Sequence, residues 1–145
     1  EEGITRYHTG VICGSLMLTS DDYGITEARE RASYVLGNEE INAVARKGES
    51  FWPISGAKGE FPADVFMRKD EEAVIVAVFN YNLSDEKEML ISLEELEMEF
   101  QTGLVLRDLW TKEENEIQSD VIRVRLSPAQ SKILKIFSKV TQDMV

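Results

Sequence analysis

Two adjacent acidic residues, Asp21 and Asp22, are the most obvious candidates for acid–base chemistry in this chain. They follow Leu16 to Thr19, a short apolar run of the kind seen in buried strands. Consecutive side chains at the end of a strand point in different directions, so these two carboxylates cannot easily flank one scissile bond. We expect both to satisfy backbone N–H groups of the loop before Thr26 rather than to act in catalysis.

A cysteine activated by a histidine is the second chemistry to consider. The chain has one cysteine, Cys13, and one histidine, His8. A nucleophilic thiol needs a base held beside it, and no pattern in the sequence brings these two residues together. Cys13 lies near Val11, Ile12 and Leu16, which favours a small buried residue of the core. A lone cysteine also cannot form an intrachain disulfide.

Aromatic rings could stack on a sugar face, and Trp52 and Trp110 are the candidates. Both are predicted instead to pack in a core or between two domains, where large aromatic side chains are usually found. The acidic stretch Glu94 to Glu99 does not have the spacing of a calcium loop. No GxGxxG, GxxxxGK[ST], HExxH or CxxC motif occurs. We therefore predict no catalytic residue, no metal site and no cofactor within the chain.

Composition restricts the partners. The 145 residues include 27 acidic and 16 basic side chains, for a net charge of -11. Nucleic acids and anionic membranes would repel such a chain. No apolar run approaches the roughly 20 residues of a membrane span. The first residues, Glu1 to Gly3, resemble neither an initiator methionine nor a signal peptide, so the chain is expected to be part of a longer protein.

The first third of the chain has a helical pattern. Residues 4–13 place apolar side chains on one helical face, and a second helix is expected after Thr26. Asn38 is predicted to cap a third helix, with acidic residues in its first turn and Gly48 at its end. Residues 53–62 contain two prolines and two glycines and are predicted to be a linker.

The remainder has the pattern of an antiparallel β-sandwich. Short strand candidates follow one another without intervening helices, separated by polar turns. One candidate, residues 73–80, is apolar on both faces and is predicted to be central. Another, residues 121–126, alternates apolar residues with arginines and is predicted to have one face in water. The six candidates are residues 65–68, 73–80, 89–93, 103–110, 121–126 and 132–137.

Four segments together resemble the α-galactosidase-like glycoside hydrolases. Gly14 to Asp22 is similar to the "G-S-P-L-x-L-S-D-D" of their last barrel strand, with Leu16 at the usual proline. Leu36 to Ala45 is similar to their "L-x-N-x-E-I-x-A" helix. Arg107 to Thr111 is similar to the "x-D-L-W" of a late sandwich strand, and Ser127 to Gln130 provides the proline-containing turn before the last strand.

The resemblance implies an α+β fold in three parts. Residues 1–52 would be the end of a (β/α)8 catalytic barrel, contributing helices and one strand. Residues 53–62 would be a crossover, and residues 63–145 an antiparallel Greek-key sandwich. The family's two catalytic aspartates lie on earlier barrel strands, so the upstream barrel of the same polypeptide is the expected partner, and carbohydrate the expected substrate. Asp21 and Asp22 would then be candidates for the rim of the sugar site.

Three functions compete on this interpretation. The sandwich could stabilise the barrel without binding sugar, or it could be a carbohydrate-binding module with coplanar exposed aromatics on one sheet face. A free-standing enzyme is disfavoured because no nucleophile and base can be paired. Residues 1–50 would have to pack on the sandwich, pair with another copy or stay loose. An exposed Leu16 to Thr19 edge would favour self-association.

Overall fold

The computed structural model describes residues 2–13, 26, 29–30, 34, 37–47, 49–54 and 64–139. Helix α1 (Glu2–Cys13) and helix α2 (Glu39–Arg46) come first, and residues 26, 29, 30 and 34 are also helical. Eight strands follow within these ranges: β1 (Trp52–Pro53), β2 (Val65–Lys69), β3 (Ala73–Phe79), β4 (Lys87–Ser92), β5 (Leu104–Asp108), β6 (Glu114–Glu116), β7 (Val121–Leu126) and β8 (Ser131–Ser138).

The strands form two antiparallel sheets. The large sheet has the order β1-β2-β3-β8-β5-β6, and the small sheet pairs β4 with β7. The six strand candidates of the sequence are all confirmed, with ends that differ by at most two residues. Strands β1 and β6 were not predicted. Pro53 and the polar run Glu114 to Glu116 lack the apolar alternation by which a strand is recognised.

The inner face of the large sheet packs on the small sheet and forms the sandwich core. Strand β7 alternates buried and exposed residues as predicted, with Ile122, Val124 and Leu126 inside and Arg123 and Arg125 in water. The buried residues of this core are Val65, Met67, Val74, Val76, Val78, Met89, Ile91, Leu93, Leu96, Leu104, Ile117, Ile122, Val124, Leu126, Leu134 and Ile136.

The outer face of the large sheet is covered by the two helices. Strand β3 has apolar residues on both faces because it contributes to both cores, and it is central, between β2 and β8, as predicted. The buried residues of this second core are Tyr7, Val11, Ile12, Ile41, Val44, Phe51, Ile75, Ala77, Phe79, Leu109 and Ile133. The order of layers is therefore helices, large sheet, small sheet.

The predicted burial of two residues, Cys13 and Trp52, is wrong. Cys13 is exposed, because the inward face of α1 is made by Tyr7, His8, Val11 and Ile12, and position 13 lies off that face at the helical angle. Trp52 is 41% exposed, because β1 is a two-residue strand at the edge of the large sheet as far as the described residues extend.

Candidate functional site at the helix–sheet interface

The helix–sheet interface is the contact between α1 and α2 and the outer face of the large sheet. It combines the second apolar core with buried polar side chains, His8, Arg68 and Ser131, which are between 0% and 4% exposed. A buried polar group is costly unless it is hydrogen-bonded. Every buried side-chain nitrogen and oxygen in the described part of the chain has such a partner.

His8 is the centre of a hydrogen-bond chain that joins α1 to the sandwich. Its Nε2 accepts from the indole N–H of Trp110 at 2.6 Å, and its Nδ1 lies 2.8 Å from the hydroxyl of Ser131. Ser131 Oγ lies 2.9 Å from the hydroxyl of Thr5, which donates to the carbonyl of Ala129 at 2.9 Å. The chain thus connects α1 to β8, to the turn before β8 and to the residues after β5.

The indole determines the direction of this chain. An indole N–H can only donate, so Nε2 of His8 must be unprotonated and Nδ1 must carry the proton. His8 therefore donates to Ser131, and Ser131 donates to Thr5. Burial lowers the pKa of His8 from 6.5 to about 3, which agrees with a neutral ring. With both ring nitrogens engaged, His8 holds two elements together and is not available as a general base.

Trp110 lies in an aromatic cluster at the same place. Its ring stacks on Tyr34 at 5.2 Å between centroids and contacts Tyr7 edge-on at 6.5 Å. The His8 ring lies 5.7 Å away. The prediction that Trp110 packs where the helical part meets the sandwich is confirmed. Burial raises the pKa of Tyr7, whose hydroxyl donates to the side-chain oxygen of Asn42 on α2.

Arg68 connects strand β2 to the C-terminal end of α2. Its guanidinium makes a two-pronged contact with Asp70 at 2.9 and 3.1 Å and donates to the carbonyl of Val44 at 2.9 Å and of Glu49 at 3.3 Å. It also lies 5.1 Å from the centroid of the Phe51 ring. A cation at the last turn of a helix satisfies free carbonyls and complements the helix dipole. This side chain therefore fixes where α2 ends on the sheet.

Asn38 connects the other end of α2 to the residues after β5. Its side-chain oxygen accepts from the backbone N–H of Ile41 at 3.1 Å, which confirms the predicted N-cap. Its side-chain nitrogen donates to the carbonyl of Leu109 at 2.8 Å. One amide group therefore begins the helix and attaches it to the sandwich.

An ion-pair network surrounds the same end of α2. Arg107 on β5 donates to both carboxylate oxygens of Glu40, at 2.7 and 3.0 Å, and lies 3.4 Å from Glu114. The ammonium of Lys112 lies 3.5 Å from Glu40. The hydrogen bond from Arg107 is the main reason that the pKa of Glu40 is lowered, while partial burial acts in the opposite direction.

The predicted site residues do not enter this interface. Asp21 and Asp22, together with the predicted strand Leu16 to Thr19, lie outside the described residues. Within the described ranges, no group of histidine, cysteine and acidic side chains is arranged to hold a metal ion. No described helix is long and apolar enough to cross a membrane. The arrangement orients α1 and α2 on the outer face of the large sheet through directional polar contacts.

Sequence reasoning missed His8, Arg68 and Arg107 as interface residues. A signal was present for two of them. His8 occupies an apolar helical face with Ile4, Val11 and Ile12, and Arg68 ends an otherwise apolar strand. A polar side chain in an apolar pattern predicts a satisfied buried partner, but the partner itself lies far away in the sequence.

A family model described as "Alpha galactosidase C-terminal beta sandwich domain" matches residues 60–136, which is more than half of the chain. The chain belongs to this family. The matched residues include strands β2 to β7 and most of β8, so this α-galactosidase-type sandwich comprises the whole small sheet and most of the large one. No curated protein sequence matches the chain.

Solved structures show the same fold over almost all of the chain. The isomalto-dextranase of Arthrobacter globiformis T6, complexed with panose, is 21% identical and is matched over 95% of this chain and 24% of its own, with a TM-score of 0.74. The β-L-arabinopyranosidase of Geobacillus stearothermophilus is 22% identical and is matched over 97% of this chain and 31% of its own, with a TM-score of 0.72. The α-galactosidase I of Mortierella vinacea is 17% identical and is matched over 95% of this chain and 36% of its own, with a TM-score of 0.68.

This chain corresponds to only a part of each of these three proteins. The chain spans 24% to 36% of the three proteins, or about a quarter to a third of each. The 95% to 97% coverage of this chain in these three structures means that the helices preceding the sandwich are matched together with it. Helices and sandwich therefore recur as one arrangement within larger proteins.

Proposed function

We propose that this chain is the non-catalytic C-terminal portion of an α-galactosidase-like glycoside hydrolase, in which the sandwich stabilises the catalytic barrel. The observation that carries the proposal is the helix–sheet interface. Its polar contacts through His8, Arg68 and Asn38 are directional, so they hold α1 and α2 in one orientation on the sheet. Helices that end a barrel and are fixed in this way would attach the barrel to the sandwich.

The domain assignment is part of this proposal. Residues 1–52 would be the end of a (β/α)8 barrel, residues 53–62 the crossover, and residues 63–145 a Greek-key sandwich. Trp52 and Pro53, at the junction of the barrel part and the crossover, pair with β2, so the sandwich sheet would extend to the start of the crossover. The two catalytic aspartates of a retaining mechanism, roughly 5 Å apart, would lie on barrel strands upstream, and Asp21 and Asp22 would lie near the rim of their site.

A carbohydrate-binding module that uses an aromatic platform is less well supported. Such a platform needs coplanar exposed rings on one sheet face. Trp52 is directly opposite Met67, an inner-face residue, whereas Tyr81 stacks on Phe79, an outer-face residue. Residues directly opposite each other in a sheet share a face. The exposed rings of Trp52 and Tyr81 therefore lie on opposite sides of the large sheet.

Activity measurements test the proposal. The 145-residue chain and its full-length parent should be assayed on aryl α-galactosides and related aryl glycosides. We expect no turnover by the chain and turnover by the parent. In the parent, Arg68→Met should lower the temperature at which half of the catalytic activity is lost. Arg123→Met, on the exposed face of β7, should leave that temperature unchanged. Turnover by the chain alone would contradict the proposal.

Self-association of the isolated chain is a further part of the proposal. On this proposal the isolated 145 residues would be separated from the barrel against which the N-terminal residues would pack, and an uncovered strand edge promotes pairing between copies. Sedimentation velocity over a hundredfold concentration range, about 1 to 100 μM, would measure it. A single monomeric species throughout that range would contradict this part.

A further inference from the structure

A cleft of about 510 Å³ opens along helix α2 on the outer face of the large sheet. Its wall is formed by Glu40, Ala43 and Val44 of the helix and by Lys47, the C-cap residue that follows it. They are spaced i, i+3, i+4 and i+7, so they line the same side of α2. The floor is formed by Ile75 of β3 and by Lys135 and Phe137 of β8. A volume of this size is typical of sites for small organic molecules.

The register of the large sheet explains how the floor is built. Ile75 is directly opposite Lys135, Lys135 is directly opposite Arg107, and Arg107 is directly opposite Glu114. Opposed residues present their side chains on the same face. These four side chains therefore form one row across β3, β8, β5 and β6, and the row faces α2.

Helix α2 lies across this row and is attached at both ends. At its N-terminal end, Glu40 is held by Arg107 of β5 at 2.7 Å. At its C-terminal end, the carbonyl of Val44 accepts from Arg68 of β2. The cleft between these attachments has a charged cluster at each end and is open over the middle of the row at Lys135, whereas Ile75 is only 2% exposed.

Of the three cations that line this cleft, Lys135 is the one without an ion-pair partner among the described residues. Arg107 is paired with Glu40, and Lys47 lies 3.6 Å from Asp70. Within the described part of the chain, no carboxylate lies within ion-pair distance of Lys135, whose ammonium is 5.7 Å from the centroid of the Phe137 ring. Its cross-strand neighbour is Arg107, which carries the same sign of charge, and like charges directly opposite each other in a sheet are unfavourable.

The lining also provides an acidic acceptor and an apolar surface. Glu72 lines the cleft and forms no ion pair with another described residue, so an acceptor faces the same space as the Lys135 donor. Phe137 and Ile75 add an aromatic ring and an aliphatic side chain to the floor. Charged donors and acceptors make the stronger hydrogen bonds to neutral hydroxyl groups. The cleft therefore combines both kinds of hydrogen-bonding group with an apolar floor.

We propose that this cleft binds a neutral saccharide of one or two rings, with Lys135 and Glu72 bonding its hydroxyl groups and Phe137 contacting its C–H face. A sugar presents donors, acceptors and an apolar face together. An anionic ligand is disfavoured, since the lining has four acidic residues (Glu40, Asp70, Glu72 and Glu114) against three basic ones (Lys47, Arg107 and Lys135) and the chain carries a net charge of -11.

Titration of the ¹⁵N-labelled 145-residue chain, followed by amide chemical shifts, tests this site. The probes are D-galactose, L-arabinose, the disaccharide isomaltose and the anionic sugar D-glucuronate, each up to about 50 mM, which detects Kd values in the millimolar range. We expect at least one neutral sugar to cause saturable shifts at residues 40–47, 72–75 and 135–137. D-Glucuronate should bind more weakly than that sugar.

Variants assign the contacts. Lys135→Met, which keeps the aliphatic stem, should raise the Kd at least about tenfold, as expected for loss of a hydrogen bond from a charged group. Phe137→Leu should raise it about fivefold through loss of the ring. The control Lys139→Met, at an exposed lysine just after β8, should leave the Kd unchanged. Unchanged amide spectra away from the substituted residue would show that each variant is folded.

Three outcomes would overturn the inference: no saturable shift with any neutral sugar, shifts that cluster away from the cleft, or a Kd insensitive to Lys135→Met. Tighter binding of D-glucuronate would overturn the choice of a neutral ligand. These results are independent of the proposed function, because a parent enzyme can cleave aryl glycosides whether or not this cleft binds sugar, and a catalytically active fragment would not change the titration.

Discussion

The two faces of the large sheet are built on different principles. The inner face meets the small sheet through aliphatic and methionine side chains alone. The outer face meets the helices through an apolar core of similar kind, but with His8, Arg68 and Ser131 buried within it. The same strands, β3 and β8, contribute to both faces.

This difference means that the inner face mainly provides cohesion between the two sheets, whereas the outer face also fixes the orientation of the helices. Apolar burial stabilises without direction, at roughly 25 cal/mol per Å² of buried area, so the inner face can hold two sheets together without specifying a unique angle by hydrogen bonds. Hydrogen bonds and ion pairs require particular distances and angles. An interface that must keep a neighbouring domain in one orientation is therefore expected to contain buried polar contacts, as the outer face does.

Truncation of the inner face should have the largest effect. Leu126 on β7 is fully buried, and Leu126→Ala should lower the free energy of unfolding by about 4 kcal/mol through lost burial and a residual cavity. Urea denaturation would measure it. The control Leu90→Ala, on the exposed face of the same small sheet, should change stability by less than about 0.5 kcal/mol. Equal effects would mean that the small sheet does not close the core.

Removal of the buried guanidinium tests the outer face. Arg68→Met keeps the bulk but leaves the carbonyls of Val44 and Glu49 and the carboxylate of Asp70 without their donor, so we expect a loss of about 3 kcal/mol. Arg123→Met, at an arginine whose side chain is 72% exposed and paired with Glu88, should cost less than about 0.5 kcal/mol. Denaturation of both variants provides the measurement.

Hydrogen exchange sharpens the same comparison. In Arg68→Met, amides of α2 should exchange faster, while those of β4 and β7 keep their protection, because the substitution affects the outer face only. Faster exchange in both sheets would show that the two faces do not act separately, and the distinction between cohesion and orientation would then be wrong.

The dependence of stability on pH should come partly from His8. Its pKa is about 3 in the folded chain and 6.5 in the unfolded chain, so between these values the unfolded state binds the extra proton. Stability is unaffected by His8 above pH 6.5 and decreases as the pH falls from about 6.5 to about 3. The decrease attributable to His8 between pH 7 and pH 5 should be about 2 kcal/mol.

A non-titrating variant isolates this contribution from that of the carboxylates. His8→Gln can still accept from Trp110 but takes up no proton, so its stability should vary less steeply between pH 7 and pH 5 than that of the unmodified chain. Urea denaturation at several pH values measures both slopes. Identical slopes would show that His8 is protonated without cost in the folded chain, and the assigned hydrogen-bond direction would be wrong.

Much of the sandwich was predictable, because its signals are local. Strand β3 is recognisable from an apolar run and β7 from alternation, and the N-cap of α2 from Asn38 before two acidic residues. Strand β6 was not predictable, since Glu114 to Glu116 is polar and extended only because it pairs with β5. Local pattern identifies elements that bury a face and misses those formed by pairing alone.

The polar contacts of the interface were not predictable for a related reason. His8 and Ser131 are 123 positions apart, and His8 and Trp110 are 102 positions apart, so no spacing rule relates them. Cys13 was assigned to the core because its sequence neighbours are apolar, but burial on a helix depends on the angle and not on adjacency. Register and helix rotation decide such positions, and both are properties of the folded chain.

Asn38 gives the smallest of the expected effects and separates its two roles. Asn38→Ala removes both the cap of α2 and the hydrogen bond to the carbonyl of Leu109, and should cost about 1 kcal/mol or slightly more. Asn38→Asp retains an acceptor for the Ile41 N–H but cannot donate to Leu109. Denaturation of the two variants therefore distinguishes starting the helix from attaching it.

The comparison of these two variants bears on the outer face as a whole. If attachment to the sandwich matters, Asn38→Asp should be less stable than the unmodified chain despite its intact cap, because an aspartate also places a carboxylate beside the Leu109 carbonyl. A fully stable Asn38→Asp would mean that the contact with Leu109 contributes nothing. The orientation of α2 would then depend on its other contacts, among them those of Arg68 and Arg107, and the N-cap would serve only to begin the helix.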